Sequence, residues 1–168
     1  MMIHEVSGDL LLSKSPVLAH GVAPGDHFAH GLALALRERW PSMVKDFRHH
    51  CHQSHPAPGQ VWTWSGPGLR IVNLMTQEAS YEHGSKPGRA TPEHVNHCLR
   101  ALHKLAEGEH FPSLALPRLA TGVGGLDWKV VKPLIWQHLG TLAIPVYVYA
   151  TYVPGVAANE PAGKAGKA

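Results

Sequence analysis

Residues 117–128 have the sequence PRLATGVGGLDW and connect a short apolar segment to an amphipathic one. The apolar segment, 113–116, is typical of a buried strand, and Asp127 is a good N-cap for the helix that the following apolar spacing predicts. The three glycines let the main chain approach a ligand closely and turn several N–H groups towards one point, as a pyrophosphate requires. The stretch matches neither GxGxxG nor the P-loop pattern. It predicts a phosphate-binding loop, and a tight turn with a helix cap is the simpler alternative.

Outward from this loop, segments typical of strands alternate with segments typical of helices. The strand-like runs are short and apolar, whereas the helical segments have apolar residues three or four positions apart. This alternation predicts one α/β domain in which helices cover a largely parallel sheet. The predicted strands are 3–6, 17–20, 61–64, 69–74, 113–116 and 144–149; the predicted helices are 28–39, one after the cap Thr91 and one after the cap Asp127, with a further turn or two over 43–47.

Two segments outside these elements differ in composition from the rest. Residues 75–90 form a polar, glycine-containing stretch of a length that usually has a function. Lys86 and Arg89 within it are most simply surface charges, although they border the expected cleft. From residue 155 the sequence turns to Ala, Gly, Pro and Lys, which lack core-forming side chains. We therefore expect a domain over residues 1–154 and a disordered C-terminal tail over 155–168.

Composition excludes several classes of protein. The chain of 168 residues has 15 Lys and Arg against 12 Asp and Glu, a formal net charge of +3, and these charges are scattered along the sequence. No apolar run approaches the ~18 residues of a membrane span, and no secretory signal pattern is present, so we expect a cytoplasmic protein that contacts no membrane. Cys51 and Cys98 lack CxxC spacing, which argues against a disulfide framework or a cysteine zinc site. We expect no cofactor.

A cluster of histidines is the one pattern that could suggest a metal. His49, His50, Cys51, His52 and His55 lie close together in a chain with 14 histidines. Imidazoles are good zinc ligands, but the cluster has none of the usual paired spacings. Its position suggests a stretch beyond the end of a helix, before two prolines. We therefore expect a solvated loop here and no metal site.

Two further segments are weaker candidates for a binding site. Gly8, Asp9 and Leu10 follow the first strand, where an aspartate could accept a hydrogen bond from an adenine amino group. A helix cap or Asx-turn is the simpler interpretation. Residues 21–31 form a glycine-containing turn before a helix, with small residues through which the main chain could contact a ribose or a phosphate.

Together these segments resemble macrodomains, and in particular the subgroup that contains the terminal ADP-ribose protein glycohydrolase and the DNA ADP-ribosyl glycohydrolase antitoxins. The resemblance covers residues 3–149, nearly the whole ordered chain. It rests on VSGDL at 6–10, LAH at 18–20, GLA at 31–33 ahead of RERW at 37–40, and most specifically on the stretch 117–128. The resemblance implies a three-layer α/β/α fold with a central mixed, largely parallel sheet, and ADP-ribose in a cleft at the strand ends.

The resemblance also implies a role for each segment in binding ADP-ribose. Gly8, Asp9 and Leu10 would recognise adenine, with Tyr149 beside it. The loop would wrap the diphosphate, and the two segments around the turn would close over the distal ribose. The loop residues are Thr121, Gly122, Val123, Gly124, Gly125 and Leu126, and the residues of the turn are His20, Gly21, Ala29, His30 and Gly31.

The sequence departs from this subgroup at two catalytic positions. A lysine that follows the fourth predicted strand is replaced by Gln77, and an aspartate within the loop is replaced by Gly124. A glutamine cannot form a covalent adduct with the ribose, and a glycine offers no general base. Hydrolysis would instead need a water positioned by a polar side chain. The candidate catalytic residues are, in order, Gln77, Asp127, His30 and Asp26, and Asp127 has helix capping as its simpler role.

Two classes of function follow from the resemblance. We expect a hydrolase that removes mono-ADP-ribose from modified protein carboxylates or from DNA bases. The alternative is a module that binds ADP-ribose without turnover, which the two missing catalytic residues favour. A phosphatase acting on phosphate esters of ADP-ribose would use the same pocket. The expected partners are ADP-ribose or an ADP-ribosylated protein or DNA, and the chain is expected to be a monomer.

Overall fold

In the described part of the chain, the fold is built on a single mixed sheet of six strands. The computed structural model describes residues 2–79, 81 and 88–161. Lys86, which the sequence places near the cleft, lies outside the described residues. The strands are β1 (Ile3–Gly8), β2 (Val17–Val22), β3 (Val61–Gly66), β4 (Leu69–Met75), β5 (Leu114–Pro117) and β6 (Val146–Tyr152), and the helices are α1 (Gly31–Arg39), α2 (Pro41–Ser54), α3 (Pro92–Gly108) and α4 (Trp128–Leu139).

The strand order across the sheet is β1-β6-β5-β2-β4-β3. The pairs β1–β6, β6–β5, β5–β2 and β2–β4 are parallel, and only β3 runs antiparallel, beside β4. Parallel pairing follows from the helical connections, whereas the two-residue loop of Pro67 and Gly68 is sufficient to join β3 and β4. The carboxyl ends of five strands therefore meet at one edge of the sheet, and this edge forms the site described below.

Helices cover both faces of the sheet because strand side chains alternate between them. Val146 and Val148 of β6 pack towards α3 and α4 in the largest apolar cluster. Tyr147 and Tyr149 point to the opposite face, on which α1 and α2 enclose a second cluster around Phe47. The three-layer α/β/α arrangement with a mixed, largely parallel sheet is as the sequence predicts.

The helix α2 differs from the sequence-based expectation. We expected a further turn or two after residue 40 and a loop of histidines, but α2 extends from Pro41 to Ser54. Proline is favoured in the first turn of a helix, so Pro41 starts a new helix as well as ending α1. Phe47 and Cys51, one turn apart, are both buried. His49, His50 and His52 are therefore helical, and only His55, at the left-handed C-cap, lies beyond the helix.

The first residues of the predicted tail also differ from the expectation. Residues 155–161 make defined hydrogen bonds to β6 and to the turn after β1. Composition suggested disorder because apolar side chains are few, but main-chain groups and Glu160 supply polar contacts instead. Residues 162–168 lie outside the described residues, and the division of the chain near residue 155 stays a prediction.

Candidate functional site

A cavity of about 630 Å³ lies at the carboxyl ends of the parallel strands. This edge is where parallel α/β sheets bind ligands, because loops from neighbouring strands diverge there. The cavity is half open, and its size is in the range of small-molecule sites. The sequence-predicted site residues that line it are Leu10, His20, Gly21, Asp26, His30, Gly31, Gln77, Thr121, Gly122, Val123, Gly124 and Tyr149.

The loop between β5 and α4 forms one wall of the cavity. Gly125 N–H donates to the Gly122 carbonyl at 3.1 Å, and Leu126 N–H donates to the Ala120 carbonyl at 2.9 Å. Among the described residues, the N–H groups of Gly122, Val123 and Gly124 make no hydrogen bond. Consecutive N–H groups without partners in a glycine-rich turn suit an anionic ligand. The predicted residues Gly125 and Leu126 thus close the loop and are outside the cavity lining.

Ala120 begins this loop in a conformation that only glycine adopts freely. Its φ is 61°, in the left-handed region, although it has a side chain. Such a conformation costs on the order of 1 kcal/mol or more and persists where the surroundings enforce it. Here the carbonyl of Ala120 accepts the hydrogen bond from Leu126 that closes the loop.

The glycines of the loop differ in the space around them. A Cβ on Gly124 would lie 2.7 Å from the Ala120 carbonyl oxygen, closer than atoms can approach. A Cβ on Gly122 would meet nothing within 4 Å. The aspartate that the resemblance implies at the Gly124 position therefore does not fit this main chain, whereas a side chain at Gly122 would project without a clash.

His20 is a buried polar side chain in the cavity wall. Its ring Nε2 lies 2.6 Å from Oδ1 of Asn73 on the neighbouring strand. Asn73 donates its amide N–H to the carbonyls of Trp62 and Ile71, so its oxygen accepts and His20 Nε2 is the donor. Burial lowers the pKa of His20 below its ordinary value. The ring is neutral at pH 7 and held in one orientation.

Gln77 lies at the cavity wall beyond the end of β4, at the position for which the resemblance implies a lysine. It is 5% exposed, and its Nε2 donates to the Gly88 carbonyl at 2.8 Å. A β-bridge to Ala90 also holds its main chain. Because the amide nitrogen is bonded to Gly88, the carbonyl oxygen of the side chain is left as an acceptor. Gln77 can orient a donor such as water, but it cannot act as a nucleophile.

Asp26 and His30 approach the cavity from the turn before α1. The carboxylate of Asp26 is buried and accepts main-chain N–H groups from Ala23 and Phe28 at 3.3 and 2.9 Å. It therefore fixes the shape of the turn. His30 is exposed at the cavity and precedes the first residue of α1. The predicted residue Ala29 is exposed and is not among the described residues that line the cavity.

Asp127 lies outside the cavity lining and caps α4. Its Oδ1 accepts the N–H of Lys129 at 2.9 Å. The side chain is exposed. Of the four candidate catalytic residues, Gln77, Asp26 and His30 share the cavity, whereas Asp127 has the capping role that was its simpler interpretation.

The proposed adenine end of the cavity is lined by Leu10 and Tyr149. The neighbouring Asp9 is buried, and its two carboxylate oxygens accept the N–H groups of Leu11 and Gly155 at 3.0 and 2.9 Å. Gly8 and Asp9 are not among the described residues that line the cavity. Asp9 is thus a buried, oriented carboxylate next to the lining residue Leu10.

Nine of the described residues that line the cavity were not predicted as site residues, and two of these nine, Arg118 and Tyr152, have polar side chains. Arg118 lines the cavity, and its guanidinium lies 5.2 Å from the ring centroid of Trp128. This stacking holds a cation beside the loop. Tyr152 is 56% exposed and lines the cavity from the last position of β6. The PR pair before the loop could have indicated Arg118, whereas nothing in the sequence around Tyr152 distinguishes it from other aromatic residues.

No metal-binding cluster and no membrane-spanning helix is found among the described residues. Within residues 2–79, 81 and 88–161, no group of three His, Cys, Asp or Glu side chains is placed to hold a metal ion. None of the helices in the same ranges has the length and hydropathy needed to cross a bilayer. The imidazole of His50 stacks on Trp62, with ring centroids 5.2 Å apart.

The fold and the loop define a class of protein: α/β domains that present glycine-rich main chain at the strand ends, where phosphate-bearing ligands bind. The chain belongs to the Macro domain family, whose model matches residues 21–135, more than half of the sequence. Both the family and the fold class predicted from the sequence are thereby confirmed.

Several relatives within this family have names that describe an activity. The DNA ADP-ribosyl glycohydrolase of Thermus aquaticus is 26% identical over 149 residues, which cover 88% of this chain and 41% of that protein. A DNA ADP-ribosyl transferase-DNA ADP-ribosyl glycohydrolase fusion protein of Thermosipho africanus is 25% identical, covering 86% of this chain and 40% of that one. This chain thus spans about two fifths of the curated relatives it matches.

The solved macrodomain of Thermus aquaticus DarG is similar over nearly its whole length. Its TM-score with this structure is 0.78 at 27% identity, and the match covers 89% of this chain and 98% of that one. The part of the relatives that this chain matches is therefore their macrodomain.

Proposed function

We propose that this macrodomain binds ADP-ribose in the cavity and hydrolyses the bond between the distal ribose and a DNA base. The observation on which the proposal depends is the loop at residues 122–124, whose N–H groups make no hydrogen bond within the described structure beside a cavity of about 630 Å³. A diphosphate would accept from these groups, with Arg118 supplying positive charge next to them. The names of the relatives favour a DNA base over a protein carboxylate as the attachment point.

The proposed orientation of ADP-ribose follows from the residues that line each part of the cavity wall. The adenine lies at the Leu10 and Tyr149 end, and the distal ribose lies towards His20, Gln77 and the turn before α1. In this orientation the anomeric carbon is near Gln77, whose side-chain oxygen is an acceptor because its nitrogen is bonded to Gly88. The buried side-chain amide of Gln77 would hold a water in line with the anomeric carbon. It would thus contribute to the reaction by positioning the attacking water.

The proposed reaction needs no covalent intermediate. Water oxygen adds to the anomeric carbon, the bond to the base breaks with its electron pair moving to the base, and a water proton ends on the base. As the bond to the base breaks, positive charge develops on the ribose, close to the diphosphate of the substrate itself. Asp26 is a weaker candidate general base because both of its oxygens already accept main-chain N–H groups.

A specific observation favours a second function, binding without turnover. The loop has no room for a side chain at Gly124, and Asp127 caps α4 outside the cavity lining. Of the described carboxylates, only the engaged Asp26 lines the cavity. The same pocket would then recognise ADP-ribosylated DNA as a ligand rather than as a substrate.

The test is time-resolved release of ADP-ribose from DNA modified on thymine and from a protein modified on glutamate. We compare wild type with Gln77→Ala and Gly122→Glu, and use Gly108→Glu as the matched control, since a Cβ at Gly108 also meets nothing within 4 Å. Release by wild type and Gly108→Glu that Gly122→Glu abolishes is the expected result. A loss of at least tenfold in Gln77→Ala would support its role in positioning water.

Two results would exclude the hydrolase. If wild type releases nothing from either substrate but binds ADP-ribose by calorimetry, and Gly122→Glu abolishes that binding, the chain is a binding module. If ADP-ribose fails to bind wild type at all, the cavity serves another ligand.

A further inference from the structure

The segment after β6 is hydrogen-bonded to Asp9, which precedes Leu10 at the proposed adenine end of the cavity. We call residues 153–161 the C-terminal strap. The carbonyl of Val156 accepts the N–H of Asp9 at 2.7 Å, and Gly155 N–H donates to the Asp9 carboxylate at 2.9 Å. The other carboxylate oxygen of Asp9 accepts from Leu11. The strap therefore holds both the main chain and the side chain of Asp9.

Glu160 anchors the far end of the strap. Its Oε2 accepts the hydroxyls of Ser13 and Tyr149, each at 2.5 Å. Its Oε1 accepts the N–H of Lys14 at 3.0 Å. Hydrogen bonds to a carboxylate are stronger than those between neutral groups, so one side chain joins the strap to β6 and to the turn after β1.

Tyr149 connects this anchor to the cavity. Its ring lines the cavity and is 4% exposed, while its hydroxyl donates to Glu160. Burial, together with the hydrogen bond to Glu160, raises the pKa of Tyr149 above its ordinary value, so the hydroxyl stays protonated and remains a donor. Loss of Glu160 would leave this buried hydroxyl without its acceptor.

We propose that the C-terminal strap sets the recognition of the adenine base, with Glu160 as a positioning residue that acts through Tyr149 and Asp9. This inference rests on the proposed function, since it assumes that ADP-ribose binds with its base at the Leu10 end. Within residues 153–161 none lines the cavity, so the strap supports the wall without filling the site. Each oxygen of Asp9 accepts one N–H group and can accept another, such as the amino group of adenine.

The experiment compares two ligands that differ only at the base. Dissociation constants are measured by calorimetry for ADP-ribose and for inosine diphosphate ribose, which has a carbonyl in place of the amino group. The variants are wild type, Glu160→Ala and the neighbouring Asn159→Ala, an exposed position of the strap that serves as the matched control. Thermal unfolding of each variant shows whether the domain is intact.

The expected result is a change in specificity. Wild type and Asn159→Ala prefer ADP-ribose over inosine diphosphate ribose, and Glu160→Ala binds ADP-ribose about fivefold more weakly while the ratio between the two ligands shrinks. In a Tyr149→Phe background, Glu160→Ala should have a smaller effect because the two residues act through one hydrogen bond.

Three outcomes overturn the inference. Equal loss of affinity for both ligands would indicate a general structural role. Tighter binding by Glu160→Ala would indicate that the strap obstructs the site. Unchanged affinity of Glu160→Ala for both ligands would exclude any role of Glu160 in base recognition. If wild type binds neither ligand, the proposed function fails instead, so the two failures are distinguishable.

Discussion

Gly124 and Ala120 are so close that a Cβ on Gly124 would lie 2.7 Å from the carbonyl oxygen of Ala120 and 3.0 Å from its Cα. The atoms in the way are main chain, and Ala120 itself has a constrained positive φ. The loop thus has a shape that excludes a side chain at Gly124, the position for which the resemblance implies an aspartate.

We therefore expect Gly124→Asp to destabilise the domain rather than to restore catalysis. Forcing a side chain into a filled space costs about 1–3 kcal/mol in the free energy of unfolding. Urea unfolding would measure the loss, with Gly122→Asp as the control because its Cβ has no close neighbour. Equal stability of the two variants, or faster ADP-ribose release by Gly124→Asp, would contradict this account of the loop.

Removing the N-cap of α4 should lower the free energy of unfolding, because one hydrogen bond is lost. Asp127→Ala loses the acceptor for Lys129 N–H, which typically lowers the free energy of unfolding by about 1 kcal/mol. Asp127→Asn should lose much less, because asparagine is an equally good N-cap. Thr91→Ala, which removes the cap of α3, provides a comparison. If Asp127→Asn is stable but releases ADP-ribose much more slowly, the carboxylate has a catalytic role after all.

His20 should make the domain less stable in acid. Because burial lowers its pKa below the ordinary 6.5, the unfolded chain takes up a proton before the folded chain does as pH falls. The free energy of unfolding then decreases from pH 6.5 downwards and stops changing, for this group, below the folded-state pKa.

The variant His20→Asn isolates this contribution from those of other histidines. Urea unfolding at a series of pH values should show a shallower decrease below pH 6.5 for the variant than for wild type. Parallel curves would mean that His20 is not buried in its neutral form.

Both thiols should be unreactive in the folded protein. Burial raises the pKa of Cys98 to about 12 and also raises that of Cys51, and each side chain is at most 1% exposed. The thiolate is the reactive form, so modification by a thiol reagent at pH 8 should proceed only as fast as the domain opens. The reaction should become fast for both in denaturant. Rapid labelling of either cysteine without denaturant would contradict the packing of α2 or α3.

The sheet and the loop could be predicted because they have local signals. Val146 and Val148 alternate with Tyr147 and Tyr149, and the apolar run that they form is typical of a buried strand. The loop is marked by its glycines and by the cap Asp127, all within a few residues of one another. The resemblance to macrodomains rests on the same stretch.

Other features have no local signal. The contacts of Glu160 with Ser13 and Lys14 join residues almost 150 positions apart, so composition alone suggested a disordered segment. The length of α2 was underestimated because Pro41 stops one helix and starts another. The hydrogen bond from Gln77 to Gly88 likewise joins residues 11 positions apart, and the spacing of apolar residues gives no information about such a contact.

The position of β6 in the sheet determines the order in which the domain can be completed. Among the described residues this strand is the last of the six, yet it lies between β5 and β1, the first. Until Tyr152 has left the ribosome, β1 has no partner in the sheet, and the end of the cavity formed by Leu10 and Tyr149 does not exist. During synthesis the domain must therefore keep β1 unpaired, and its ability to bind a ligand arises only when all six strands have been translated.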